Sequence, residues 1–445
     1  MQGKPKNMEL PETFESYTQN LMGESLYHQF REGLNQAPPV SIRVNSFKYT
    51  LDVEDVPAFE SEVPWCKNGI YLKDRPAFTF DPLFHAGIYY VQEASSMFLD
   101  HVLRQIINQP VMALDLCAAP GGKTTCAMSA LPPGSILFSN ELIRNRAQIL
   151  NENILKFGHP DIVVTNNDAK DYQKSGLQFD VILADVPCSG EGMFRKDENT
   201  IHEWSPENVE HCQALQREII SDIWPCLKPG GILVYSTCTF NAEEDEKNTM
   251  WIASSLGADF INIKTQPEWN ITGALLPNQD ASDTSRISIP VYRFIPGKTK
   301  GEGLFMAVMR KNGMAYSPSK PLWKNAEKKV AKYMNVLSHG ILPDIKKGMD
   351  LIPDISKALS ILPKKNKYPK INVNDMQAIA YLRKEALSFE DNYPTGFVLV
   401  CYKGQPLGFA KNIGHRANNL YPKEWKIKST HIQTGNNQVI HIHQT

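Results

Sequence analysis

The strongest constraint on this chain is the stretch 114–125, Leu-Asp-Leu-Cys-Ala-Ala-Pro-Gly-Gly-Lys-Thr-Thr. An apolar run over 111–116 meets the turn Pro120-Gly121-Gly122 and passes into helix-forming sequence from Lys123 to Ala130. Adjacent glycines at a strand-to-helix turn let the backbone approach a bound ligand, and the unpaired amides of the helix start face that ligand. Such a turn predicts a nucleotide or cofactor loop at the edge of an α/β sheet.

The pattern then repeats. Apolar runs at 135–139, 162–165, 179–184 and 232–236 alternate with helical sequence at 143–157 and 206–227, the latter opened by Ser205 as N-cap and Pro206 at the first helical position. Gly230-Gly231 is expected to open the strand that ends in Thr237-Cys238. This alternation predicts a doubly wound, mainly parallel sheet, completed by strands near 258–263 and 303–310 with an antiparallel edge.

Two ligands compete for the loop. A phosphate-binding loop requires Gly-x-x-x-x-Gly-Lys-Ser/Thr. Gly122-Lys123-Thr124 fits its end, but Cys117 stands at the first glycine, and Ala118, Ala119 and Pro120 stiffen the turn. The strand ends favour a nucleoside-type cofactor instead. Ligands of open α/β sheets bind beyond the carboxyl ends of strands, where an acid about twenty residues past the glycines accepts hydrogen bonds from a ribose. Glu141 has that spacing, Asp168 ends the third strand, where it is placed to read an adenine amine, and Asp185 ends the fourth.

Cys188 and Cys238 follow strand ends on the same rim. A pyrimidine ring carbon is a poor nucleophile, and C5 becomes reactive once a nucleophile has added at C6. A thiolate suits that task, because it attacks well and later leaves. The eight cysteines contain no Cys-x-x-Cys pair, which argues against a zinc ribbon and a disulfide framework.

Asp115-Leu-Cys-Ala-Ala-Pro-Gly-Gly-Lys-Thr124, Asp185-Val-Pro-Cys-Ser-Gly-Glu-Gly192 and Tyr235-Ser-Thr-Cys-Thr-Phe-Asn-Ala-Glu-Glu-Asp-Glu246 together resemble the RNA cytosine-C5 methyltransferases of the Nol/Nop/Sun family. The likeness extends from Tyr90-Val-Gln-Glu-Ala-Ser-Ser96 to Lys298-Thr-Lys-Gly-Glu-Gly-Leu-Phe305. It implies S-adenosylmethionine as cofactor, held by Cys117, Ala118, Ala119, Pro120, Gly121, Gly122, Lys123, Glu141 and Asp168, with Arg146 as a second contributor. It also implies Cys238 as the nucleophile at C6 and Cys188 as the thiol that helps resolve the adduct. Asp185 is then expected at the cytosine N3/N4 edge, at the methionine end of the cofactor, or at both. The chain departs from the family pattern at Ile295-Pro-Gly297, where relatives usually carry a histidine after the proline.

Charge is divided unevenly. Residues 311–445 hold 21 Lys and Arg against 9 Asp and Glu, a surplus of 12, whereas the whole chain has a formal charge of −1. A basic tail on an acidic body points to a polyanionic partner. The segment 316–370 is rich in Lys and Pro, including Pro363-Lys-Lys-Asn-Lys367, and 397–402 with 406–410 reads as a hairpin turning at Gly404. Leu407-Gly-Phe-Ala-Lys411 and Asn419-Leu-Tyr-Pro-Lys-Glu-Trp425 resemble the RNA-binding, PUA-like tail of bacterial 16S rRNA methyltransferases.

The expected organisation is an N-terminal α+β RNA-recognition region at 1–100, a Rossmann-like methyltransferase core at 101–312, and a basic RNA-binding region at 313–445. In that last region a linker and helical part runs to about 390 and a β-rich PUA-like part follows at 391–445. Ser41-Ile-Arg-Val-Asn45 and the aromatic run 87–97 stand out in the first region, the latter as candidate stacking faces for bases. The expected partner is 16S rRNA or the small ribosomal subunit, with tRNA as the competing substrate. A noncatalytic RNA-binding assembly factor is the alternative of another class. Neither a metal nor a membrane is expected, and the polar start and lack of a long apolar run lead us to expect a cytoplasmic monomer.

Overall fold

The computed structural model describes residues 8–277, 287–313, 323–362, 368–388, 393–429 and 438–442; the basic run 363–367 lies outside them. Helices α1 (Glu12–Met22) and α2 (Glu24–Leu34) precede an antiparallel sheet of β1 (Val40–Val44), β2 (Phe59–Glu62), β3 (Gly69–Leu72) and β4 (Tyr89–Val91), ordered β2-β3-β1-β4, with the short helix α3 (Pro82–His85) before its last strand.

After α4 (Phe98–Ile106) come β5 (Met112–Asp115), α5 (Gly122–Ala130), β6 (Ile136–Asn140), α6 (Arg144–Phe157), β7 (Ile162–Thr165), α7 (Ala169–Ser175) and β8 (Phe179–Asp185). The core continues with α8 (Asn199–Glu203), α9 (Pro206–Ile223), β9 (Leu227–Thr237), α10 (Glu246–Trp251), β10 (Ala258–Phe260), β11 (Val291–Phe294) and β12 (Leu304–Lys311). Strands β7-β6-β5-β8-β9 are parallel, and β12 joins β9 antiparallel while pairing with β10 and β11. Every residue of β5 is buried, as a central strand covered on both faces requires. Strand order reverses between β5 and β8, so the loops after these two strands flank the crevice where open α/β sheets bind ligands.

Two boundaries differ from the sequence expectation. Helix α9 stops at Ile223 rather than near 227, because Pro225 lacks the amide that would continue the α-helical hydrogen bonding, and residues 224–226 tighten into a single 3-10 turn. Strand β9 therefore starts at Leu227, and Gly230-Gly231 lie inside it, where its pairing with β8 shifts register. The sheet is also antiparallel at both edges: after α11 (Trp323–Tyr333), β13 (Val336–His339) pairs with β7.

The chain then forms a small hairpin of β14 (Ile345–Lys347) and β15 (Asp350–Ile352), followed by α12 (Ile355–Leu359). A last sheet consists of β16 (Lys370–Val373), β17 (Gly396–Tyr402), β18 (Gln405–Asn412) and β19 (Ala417–Asn419), with α13 (Asp375–Leu382) between its first two strands. Its central hairpin turns on Lys403 and Gly404, both at positive φ as a tight two-residue turn demands.

This last sheet is packed onto the N-terminal one. Ile42, Ile70 and Leu83 belong to the same buried cluster as Tyr381, Val400, Tyr421 and Ile440. The aromatic run of 87–97 is largely spent on packing, since Tyr89 is buried in this cluster and Tyr90 lies against the cofactor loop. Asp81 bridges the two sheets. It caps α3 by accepting from Leu83 N (2.9 Å), and its other oxygen accepts from Tyr89 Oη (2.8 Å) and Val439 N (3.0 Å). Replacing Asp81 with Ala strands three buried donors and removes the cap, so we expect a loss of about 2 kcal/mol or more in urea unfolding. An unchanged midpoint would show that the seam does not contribute to stability.

Candidate active site

The loop after β5 is a tight turn held from several sides. Ala118 N donates to Asn140 O (2.8 Å) and Gly121 N to Ala118 O (2.7 Å); Arg146 Nη2 donates to Ala119 O (3.2 Å) and Asn153 Nδ2 to Pro120 O (2.8 Å). Gly121 caps α5 at φ 110°, which disfavours any side chain, and its face lies over Leu150. A Cβ on Gly122 would meet the Tyr90 ring at 3.3 Å. The glycines are thus required by protein neighbours as well as by a ligand. Arg43 fixes the same helix from the N-terminal sheet: buried, it donates to Gln92 Oε1 (2.8 Å) and Thr125 Oγ1 (2.6 Å).

Two acids present buried oxygens without a donor. Asp115 accepts from Thr124 Oγ1 (2.6 Å) through Oδ2, while its Oδ1 has no hydrogen bond. Glu141 caps the entry to α6 through Oε1, accepting from Ile143 N (2.9 Å); its Oε2 lies 3.5 Å from Arg146 Nη2 and accepts no hydrogen bond. A buried acceptor left open is costly unless a ligand supplies the donor. The start of α5 and these two oxygens therefore fit a cofactor with an ammonium and ribose hydroxyls. Asp115 was not among the residues expected from sequence.

Asp185, at the end of β8, accepts from Ser236 Oγ (2.8 Å) and pairs with Lys123 Nζ (2.9 Å). Burial pulls the Lys123 ammonium down, but Asp185 outweighs it and keeps the group above its ordinary pKa. Asp168 is placed differently. It lies exposed as the N-cap of α7, accepting from Lys170 N (2.9 Å) in a capping box with Asp171. The structure thus brings Cys117, Lys123, Asp185 and Glu141 into one charged neighbourhood, while Asp168 is occupied as a helix cap.

Cys188 and Cys238 converge, with their sulfurs 3.2 Å apart and both side chains partly exposed. Contact with Cys238 and then burial push the Cys188 thiol well above its usual range. Their two loops are interlocked. Gly192 N donates to Cys238 O (2.7 Å), and a Cβ at Gly192 would run into that carbonyl. Glu191 accepts from the amide of Asn241 (3.1 Å), its Nδ2 (2.9 Å) and Trp204 Nε1 (3.0 Å). Glu244 reaches back to Ser189 N (3.0 Å). Behind them Arg293, fully buried, pairs with Asp245 (2.8 Å) and Glu246 and donates to Phe240 O (3.1 Å). The acidic run 243–246 would pass for solvated surface in the sequence; the lone arginine in β11 was the signal that part of it is buried.

At Gly297 the reason for a missing side chain is steric. The residue has φ 83°, and a Cβ would collide with the Gln29 carbonyl of α2, just as one on Gly33 would collide with the 296–297 backbone.

Comparison with known proteins agrees with this architecture. Residues 105–310 match the family model for the 16S rRNA methyltransferase RsmB/F, residues 10–94 that for the N-terminal domain of 16S rRNA methyltransferase RsmF, and residues 368–427 that for the RsmF PUA domain. The ribosomal RNA small subunit methyltransferase F of Enterobacter sp. (strain 638) is 30% identical over 86% of this chain and 89% of its own length; that of Escherichia fergusonii is 29% identical over 89% and 92%. A methyltransferase homolog from Pyrococcus horikoshii superposes with TM-score 0.57 at 27% identity, covering 68% of this chain and 95% of that one. NSun6 from the same organism, solved with SFG, has TM-score 0.54 at 21% identity over 69% and 99%. Fold and site are those of an S-adenosylmethionine-dependent methyltransferase. The chain belongs to the RsmF family of 16S rRNA methyltransferases.

Burial pushes the carboxyl of Asp115 up to about 7, reinforced by Asp185 and Glu141, and burial with Glu191 nearby does the same to Glu244. The folded chain therefore binds more protons than the unfolded one between about pH 4 and 7, and stability falls as pH rises through that window. Burial moves Glu191 and Asp245 in the same direction. The urea midpoint of the ligand-free protein should decline between about pH 4 and 7; a midpoint that rises would contradict the burial of these acids.

Proposed function

We propose that the chain methylates C5 of cytosine in 16S rRNA through a covalent adduct on Cys238, with the bacterial cytoplasm as its place of work. The observation that carries this reading is the pair of thiols 3.2 Å apart beside the Lys123–Asp185 pair at the switch point of the sheet. S-adenosylmethionine, when bound, supplies the methyl group. The residues of this chain that would hold it are the loop 117–123, Asp115 and Glu141 with their open oxygens, and Asp185. Asp168, being a helix cap, would contribute through whatever acceptor capacity its capping bonds leave.

Cys238 Sγ, as thiolate, bonds to C6 of the cytosine. The electron pair of the C5–C6 double bond then resides on C5, which takes the methyl group. Loss of the C5 proton to a base leaves the C5–H electron pair to re-form the C5–C6 double bond, and the C6–S pair departs with the Cys238 thiolate. Cys188 lies in contact with Cys238, within reach of the adduct that it would help to resolve. Asp185, fixed by Ser236 and Lys123, is positioned for the N3/N4 edge of the base. The base must leave its stack to reach this rim, which favours loops or incompletely assembled subunits.

Cys238→Ala should abolish methyl transfer to rRNA, measured with labelled cofactor, and retained turnover would sink the mechanism. Cys188→Ala should instead accumulate a covalent protein–RNA species on denaturing gels; free enzyme with normal release would remove Cys188 from its role. Glu141→Ala is expected to weaken cofactor binding by about tenfold or more in calorimetry, the scale of one hydrogen bond to a charged acceptor. An unchanged affinity would take Glu141 out of the site.

A further inference from the structure

One hollow stands apart from the cofactor crevice. It is a cleft of about 780 Å³ between the N-terminal sheet, the turn Pro38-Pro39 and the loop 297–301, with Arg195 at its inner end. That volume is in the range, about 300–1,000 Å³, of clefts that enclose ligands.

Arg195 spans the cleft floor. It donates through Nη1 to Gly33 O (3.2 Å) and through Nη2 to Gly301 O (2.7 Å), and its buried Nε has no acceptor. Both partners are neutral carbonyls. Among the described residues no carboxylate lies within 4.0 Å of this guanidinium. The nearest acids are already engaged: Glu302 with Lys196, and Glu93 as acceptor from Ser95 N (2.8 Å), Ser96 N (2.9 Å) and Glu302 N (2.9 Å). Burial holds the guanidinium below its ordinary pKa although Glu302 and Glu93 pull the other way, neither of them in contact with it. Such a charge is destabilising unless something anionic completes it.

The rest of the cleft has the matching sign. Exposed Lys73 and Arg75 stand at its mouth and half-buried Lys298 on its wall, while Lys300 is already paired with Glu60. Counting all lining side chains, five are basic and two, Glu60 and Asp74, are acidic.

The cleft is linked through the chain to the loops that carry the two thiols. Arg195 lies three residues after Gly192, whose amide holds the Cys238 carbonyl, and Gly301 lies two residues before Gly303, which is packed against Phe240. The Gly33–Gly297 contact, by letting α2 approach the loop 296–297 without side chains between them, places the two carbonyls that Arg195 bridges.

We propose that this cleft binds the RNA strand flanking the target cytosine, with Arg195 holding a backbone phosphate and Lys73 and Arg75 guiding the strand in. The proposal rests on the reading of the chain as an enzyme acting on RNA. A planar guanidinium with a free N–H fits a phosphate oxygen, and a strand with its base turned out is single-stranded where it passes the rim.

The test uses the full-length protein and small ribosomal subunits purified from cells lacking the gene. Binding is measured against salt concentration for wild type, Arg195→Gln and the double variant Lys73→Ala/Arg75→Ala. Cofactor affinity and thermal midpoint serve as controls for folding. Both variants are expected to weaken RNA binding by about tenfold, and the log–log salt slope should fall by roughly 0.7 for each single-strand phosphate that the variant no longer neutralises. An equal removal of charge from α7, Lys170→Ala/Lys174→Ala, should leave the slope unchanged. If Arg195→Gln does not fold, the double variant, which touches only the exposed mouth, carries the test. Wild-type affinity and slope in the double variant would overturn the proposal, as would an equal weakening in the α7 control. Failure of the wild-type protein to methylate the subunits would instead count against the reading of its function, so the two failures are separable.

Discussion

Arg293 is the residue on which the reactive rim depends. It is fully buried between Asp245 and Glu246, and it also donates to the carbonyls of Phe240 and Asn241. Removing three charges from water costs several kcal/mol each, and only close pairing with further hydrogen bonds offsets that cost. Those bonds are present: Asp245 accepts from Thr237 Oγ1 (2.6 Å) and Thr239 Oγ1 (3.0 Å), and Glu246 from Leu275 N (2.8 Å). The consequence is conformational. Residues 237–246 have every reason to keep one backbone path, and Cys238 lies on it.

The second thiol is fixed by the same network. Glu191 and Glu244 each accept hydrogen bonds from the opposite loop, and Gly192 brings one backbone against the other. The Pro-Cys and Thr-Cys segments, fifty residues apart, therefore form one structural unit. On the opposite side Arg43 ties the N-terminal sheet to α5 and so to the cofactor loop. Cofactor loop, thiols and basic cleft are parts of one packed body, which suits a reaction that needs a base, a nucleophile and a methyl donor in register.

Much of this was legible in the sequence, because the features concerned are local. The strand-turn-helix alternation predicted the parallel sheet, and the glycine turn at 121–122, the acids at 141 and 185 and the thiols at 188 and 238 lie on its rim. What stayed hidden depends on contacts between distant residues. The C-terminal sheet shares its core with the N-terminal one, through pairs such as His85 with Tyr421 and Asp81 with Val439, and no periodicity records such a partnership. Asp168 was expected at the cofactor from its place at a strand end, and its role as the N-cap of α7 is a local contact that this reading did not include. Nothing in the sequence around Arg195 sets it apart; its buried Nε with no carboxylate in contact does.

The central claim is that Cys238, by adding to C6, makes C5 of a cytosine in 16S rRNA able to take a methyl group. Bisulfite sequencing of 16S rRNA from cells lacking the gene, complemented with the wild-type gene or with Cys238→Ala, tests it most directly. The account predicts at least one cytosine that resists conversion with the wild-type gene and converts fully with the variant. Identical conversion at every cytosine in the two strains would contradict it.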